Sequence, residues 1–295
     1  MRTLVAGWFS FEGMGATAGD LLARDVACSW LDRAGHPYDV AHAAPFSGGV
    51  DWRTVDPAQY THVIFVCGPF GNGWPLTDFL ARFARSRLVG LNLSMLAPLD
   101  TWNPFDALFA RDSSEAARPD LTFLAKPALV PVVGIILAHP QAEYTGGLHE
   151  AVDAAIHRVT TARDVAVVRI DTRLDVNATG LGTAAQVESL VARMDAVVTT
   201  RLHGLVLALK HGVPPVAVDP IAGGAKIRRQ AETIGWPVLL AAESLTDDAL
   251  ARAFDYCLTG EARGFAQECR RRAVEALRTL EHEVLASLAT SGKAV

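Results

Sequence analysis

Short apolar runs alternate with stretches of helical periodicity along the whole chain. Leu4-Val5-Ala6-Gly7-Trp8 predicts a first strand, followed by a glycine-containing loop and a helix over about 19–34. His62-Val63-Ile64-Phe65-Val66-Cys67 predicts a buried strand, trailed by Gly68, Gly71 and Gly73. Residues 75–86 place Leu76, Phe79, Leu80 and Phe83 on one helical face, and 88–93 reads as the next strand. A second series opens at 132–137. It continues with a helix over 148–160, a strand over 165–170, a helix over 184–194 and a strand over 195–199. A helix over 203–211, a strand over 215–218, a helix over 226–234 and a strand over 237–240 complete it. Residues 262–288 form one long charged amphipathic helix, the pattern of a packing helix with a solvated face. Unbroken β-branched runs separated by helices are the mark of parallel sheets covered on both faces.

The chain has 295 residues, half of them apolar, which is more than one hydrophobic core usually serves. Two domains are therefore expected. The stretch 118–131 carries Pro119, Pro127 and Pro131 and is the natural boundary. The division reads as 1–128, 129–260 and a C-terminal helix over 261–295. With 27 basic and 32 acidic residues the net charge is −5, so a general nucleic-acid binder is not indicated. Cys28, Cys67, Cys257 and Cys269 form no C-x-x-C pair and read as buried or idle thiols in a reducing cytoplasm. The N-terminal residues run straight into a strand and lack the features of a signal peptide. No apolar run approaches the roughly 20 residues that span a bilayer.

Ligands of open parallel sheets sit outside the carboxyl ends of the strands, so the residues just after each strand are the candidates. After the first strand, Gly13 and Gly15 make a Gly-x-Gly, but Ala18 stands where a dinucleotide fingerprint would carry its third glycine. Gly19 and Asp20 close this loop. They read either as polar contacts for an anionic or sugar ligand or as a helix start capped by Asp20. After the strand over 195–199 comes Thr200-Arg201-Leu202-His203-Gly204. Here Arg and His lie two residues apart at a strand-to-helix turn, where free amides and a partial positive charge collect. The arginine fork matches a carboxylate or phosphate, and the histidine can carry a proton. The bland alternative is an arginine that makes a salt bridge and a histidine that caps. One strand later, Asp219-Pro220-Ile221-Ala222-Gly223-Gly224-Ala225-Lys226 is a second glycine loop opening a helix. Its first-turn lysine is electrostatically misplaced unless an anion is held nearby.

Val197-Val198-Thr199-Thr200-Arg201-Leu202-His203-Gly204-Leu205, followed by Gly212-Val213-Pro214 and Lys226-Ile227, resembles the C-terminal signature of the polysaccharide pyruvyl transferase family. Gly19-Asp20 resembles that family's N-terminal segment, and Arg111-Asp112-Ser113-Ser114 its mid-chain stretch. The resemblance implies a GT-B-like α/β fold, with two Rossmann-like lobes of parallel sheet facing a cleft and a C-terminal helix able to cross back to the first lobe. It implies transfer of a pyruvyl group from phosphoenolpyruvate to a sugar or glycan precursor, the acceptor on the first lobe and the donor on the second. His203 is then the acid/base and Arg201 binds the donor anion. Thr200, Gly204, Gly223, Gly224 and Lys226 belong to the same site. Family members commonly carry an arginine after the first strand of the second lobe. Here that strand ends Leu137-Ala138-His139-Pro140, which makes His139 the candidate substitute. No cofactor is implied, phosphoenolpyruvate being a substrate. No metal is implied either, since the acids do not converge with histidines at ligand spacing. Two alternatives stay open: a nucleotide-sugar glycosyltransferase on the same architecture, and a non-catalytic relative that binds a small anion or a partner protein.

Overall fold

The computed structural model describes residues 1–113, 117–138, 148–221 and 226–289. The chain divides into two compact units, Met1–Ala128 and Leu129–Val295.

The first unit holds β1 (Thr3–Ala6), α1 (Ala18–Ala34), β2 (Tyr38–Val40), β3 (His62–Phe70), α2 (Leu76–Arg82), β4 (Arg87–Met95) and β5 (Ala107–Phe109). Its strands form one sheet in the order β2-β1-β3-β4-β5, every pairing parallel. The core beneath is aromatic. Phe65 meets Phe70 at 4.8 Å and Phe70 meets Phe105 at 4.7 Å between centroids, tilted or edge-on as ring quadrupoles favour. The first strand ends at Ala6, two residues earlier than the apolar run suggests. After the extended Gly7 the chain enters a 3-10 segment, Trp8–Ser10, that inserts Phe9 into the interior.

β3 and β4 share one irregularity. Cys67 and Asn92 both adopt left-handed backbone, φ 69° and 57°, between the register pairs Val66–Leu91 and Gly68–Leu93. Such backbone is uncommon for residues other than glycine. The Asn92 amide holds the pair: its Nδ2 donates to Cys67 Sγ at 3.3 Å, and its Oδ1 accepts from the Leu121 amide.

The second unit holds β6 (Val132–Ile136), α3 (His149–Thr161), β7 (Ala166–Arg169), α4 (Ala184–Val191), β8 (Ala196–Thr199) and α5 (Leu202–Lys210). It continues with β9 (Pro215–Asp219), α6 (Lys226–Ile234), β10 (Leu239–Ala241), α7 (Asp247–Cys257) and α8 (Gly260–Ala289). Its five strands are again all parallel, in the order β10-β9-β8-β6-β7. Every residue of β8 and β9 is buried, the condition that the unbroken runs 195–199 and 215–218 imply. The core is mainly aliphatic, built from Val133, Ile135, Val198, Leu205, Leu209, Val216 and Val218, with Phe254 and Trp236 buried among them. The strand order reverses direction at β6, whose neighbours are β8 on one side and β7 on the other. Ligands of such sheets bind at that crevice, beyond the strands' carboxyl ends.

The four cysteines are unpaired, and Cys67, Cys257 and Cys269 are buried. Burial pushes the Cys257 thiol up to about 12. Among the described residues no helix is long and apolar enough to cross a membrane.

Candidate functional site

The turn between β8 and α5 is built by two threonines. Thr199 is fully buried. Its hydroxyl donates to the Ile136 carbonyl at 2.9 Å and accepts from the Arg201 amide at 3.0 Å. Thr200 Oγ1 accepts from the Ala138 amide at 2.7 Å, tying the end of β6 to the end of β8 across the switch point. Gly204 fits where it does because a Cβ there would lie 2.1 Å from Thr199 Oγ1 and 3.0 Å from Ile136 Cγ2. The absent side chain lets the first turn of α5 sit directly on the strand end.

Arg201 is the N-cap residue of α5 yet its side chain provides no cap, and of the amides at this helix start its own is taken by Thr199 Oγ1. The guanidinium turns away. Its Nη1 donates to Thr172 Oγ1 at 2.8 Å and pairs with Asp171 Oδ1 at 3.3 Å. Burial lowers the Arg201 pKa, Asp171 acts in the opposite direction, and Arg173 adds to the lowering. An arginine stays charged under such shifts. Asp171 is itself buried and accepts backbone amides of Arg173 and Ala178. The arginine is therefore anchored by a carboxylate held rigid from the loop after β7. His203 stands in the first turn of α5, exposed, with no hydrogen bond or ion pair among the described residues.

The next turn, between β9 and α6, starts with Lys226, the exposed first residue of α6. The Asp219 carboxylate, almost wholly buried, accepts from the Ile221 amide and from the Arg228 amide in the first turn of α6. Negative charge of the chain's own thus sits at this helix start. His139, Gly223 and Gly224 lie outside the described residues. The structure thus brings Thr200, Arg201, His203 and Gly204 together on one turn, with Lys226 on the neighbouring one.

Gly19 and Asp20 belong to the first unit. Asp20 is buried, and its carboxylate accepts from the Thr17 amide and hydroxyl, both at 2.7 Å, while Thr17 Oγ1 caps the Asp20 amide. This reciprocal arrangement is a capping box at the start of α1. Gly19 sits within its first turn. Arg111 pairs with Asp120 at 2.8 Å, and Ser114 lies outside the described residues. Among the described residues no cluster of His, Cys, Asp and Glu could hold a metal ion.

A family model described as polysaccharide pyruvyl transferase matches residues 18–220. The chain belongs to the polysaccharide pyruvyl transferase family. The family match takes in Asp20, Asp171, Thr200, Arg201, His203 and Gly204, and ends before Lys226. No match is found among curated proteins. Solved structures similar to this pyruvyl transferase family member include a spinosyn forosaminyltransferase, SpnP. It has 15% identity, covers 97% of this chain and 99% of its own, and gives a TM-score of 0.34. MurG of Acinetobacter baumannii has 11% identity, 92% and 95% coverage and a TM-score of 0.34. The glycosyltransferase SnogD of Streptomyces nogalater has 16% identity, 97% and 99% coverage and a TM-score of 0.32. At such low scores and identities nothing about chemistry follows from these three.

Asp171 and Thr172 are the partners of Arg201 that sequence reasoning misses. Asp171 lies 30 residues before Arg201, among several polar loop residues that look alike in sequence.

Proposed function

We propose that this family member transfers a pyruvyl group from phosphoenolpyruvate to a sugar or glycan precursor, using the β8–α5 turn as its donor site. The observation that supports this most is the exposed His203, without a described partner, on an uncapped helix start two residues from an anchored arginine. Free helix amides and a guanidinium suit a ligand that carries both a carboxylate and a phosphate. In the proposed reaction His203 donates a proton to the methylene carbon of phosphoenolpyruvate, making the central carbon electrophilic. One sugar hydroxyl adds there and gives up its proton. The carbon–oxygen bond to phosphate then breaks, and a second hydroxyl replaces it with loss of its own proton, leaving a cyclic ketal and inorganic phosphate. Arg201 holds the donor anion, and Asp171 holds Arg201.

The Arg201–Asp171 ion pair also favours a second reading, in which the arginine is structural and the protein binds a small anion without turnover. Phosphate release from phosphoenolpyruvate, assayed with a panel of hexoses and amino sugars, separates the two. Acceptor-dependent release supports transfer. Donor binding without release under any acceptor supports the binding role.

A further inference from the structure

The thirty residues of α8 make a helix about 45 Å long, at 1.5 Å per residue. Only its first part is packed: Ala262, Ala266 and Cys269 are fully buried against the second unit's core. From Val274 onward large apolar side chains stand in solvent. Val274 is 47% exposed, Leu277 60%, Leu280 48%, Val284 48%, Leu285 58% and Leu288 76%. Leu277, Leu280 and Val284 recur at i, i+3 and i+7, the spacing of a coiled-coil seam, and the other three widen it. A contiguous apolar face of this kind marks an interaction surface.

The charges along the helix indicate what covers it. Residues 270–278 carry Arg270, Arg271, Arg272 and Arg278 against Glu275, a balance of +3. Residues 279–289 carry Glu281 and Glu283, a balance of −2 with histidine neutral. A second copy laid antiparallel sets the basic half of each helix against the acidic half of the other; a parallel copy would set like against like. Antiparallel crossing about a two-fold axis is also the geometry of a closed, self-complementary dimer. The Arg271–Glu268 and Arg278–Glu275 contacts are exposed pairs within one helix, which contribute little and leave the polarity in place. A membrane surface fits less well. Helices that lie in bilayers carry a basic polar face and aromatic anchors, whereas this one mixes both signs and has no aromatic residue after Phe265.

We infer that the protein forms a homodimer through the apolar face of α8 between Val274 and Leu288, with the two helices antiparallel. Sedimentation equilibrium of the full chain at high micromolar concentration tests this. The expected mass is twice the 31.5 kDa of one chain. Leu277→Glu with Leu280→Glu should halve that mass and leave circular dichroism unchanged, since both side chains are exposed in the single chain. A chain carrying R271E, R272E and R278E is acidic along the whole face. One carrying E275R, E281R and E283R is basic along it. Each should be monomeric alone, and their equimolar mixture should sediment as a dimer. A monomeric wild type overturns the inference, as does a dimer that survives the double leucine substitution. A monomeric wild type that co-floats with vesicles of anionic lipid overturns it in favour of a membrane surface.

Discussion

Two strand-to-helix turns, one in each unit, carry the polar residues that draw attention in the sequence, and they spend them differently. At the turn leading into α1, Thr17 and Asp20 satisfy each other in a capping box, and the acid is buried in doing so. At the turn leading into α5, the N-cap side chain does not cap. Arg201 is drawn to Asp171 and Thr172, and His203 is left in solvent. The first arrangement stabilises a helix. The second leaves a histidine, and the amides that follow Arg201, without a side-chain partner among the described residues, which is the condition of a ligand site. An acid at a helix start and a histidine at a helix start therefore mean different things, and the partners decide which.

The sharpest way to break the comparison is at His203. His203→Gln keeps the shape and some hydrogen bonding without the titratable ring, and turnover should fall by about 100-fold or more. Full activity in a phosphate-release assay would return the second turn to a structural role. Gly204→Ala comes next. Its Cβ would meet Thr199 Oγ1 at 2.1 Å, and overpacking of this kind costs about 1–3 kcal/mol. Urea melts should show that loss, and an unchanged midpoint would mean the turn is looser than described. Asp20→Asn weakens the capping box and should lower stability by about 1 kcal/mol while turnover stays near wild type. A large fall in turnover with stability intact would make Asp20 a ligand contact.

The smallest effect concerns acid. Burial alone would raise the Asp120 carboxyl, but hydrogen bonds from Arg111, Thr122 and Asn92 outweigh it and hold the pKa at about 2. The folded value lies below the unfolded one, so the contribution is present above about pH 4 and is lost as pH falls toward 2. Melting temperature should fall across that window, and less steeply in Asp120→Asn. Parallel curves for the two proteins would show that the Arg111 pair adds nothing.

Much of the second unit is legible in sequence because β8 and β9 are buried on both faces and leave unbroken apolar runs. The three-residue strands β2 and β5 are not, since they are too short to show a period and only partly buried. The helix α7 is absent from the sequence reading, although Thr246 followed by two acids is a capping signal and Leu250, Phe254 and Cys257 recur at helical spacing; the small and charged residues between them resemble a loop. The early end of β1 comes from the 3-10 segment Trp8–Ser10, which turns the chain so that Phe9 is buried more deeply than Trp8. At the site, Arg201 and His203 stand out because polar residues interrupt an apolar strand end. The anchoring role of Asp171 depends on a contact across the fold, and no local pattern distinguishes it from Arg173, Asp175 or Asn177 beside it.

The central claim is that the β8–α5 turn holds the donor anion. Calorimetric titration of phosphoenolpyruvate into wild type, His203→Gln and Arg201→Ala tests it most directly. Wild type and His203→Gln should bind with similar affinity, and Arg201→Ala should lose at least about tenfold, the 1.4 kcal/mol minimum expected for a charge-assisted contact. Equal binding by Arg201→Ala, with its fold intact by circular dichroism, would contradict the account and leave the arginine as a structural partner of Asp171.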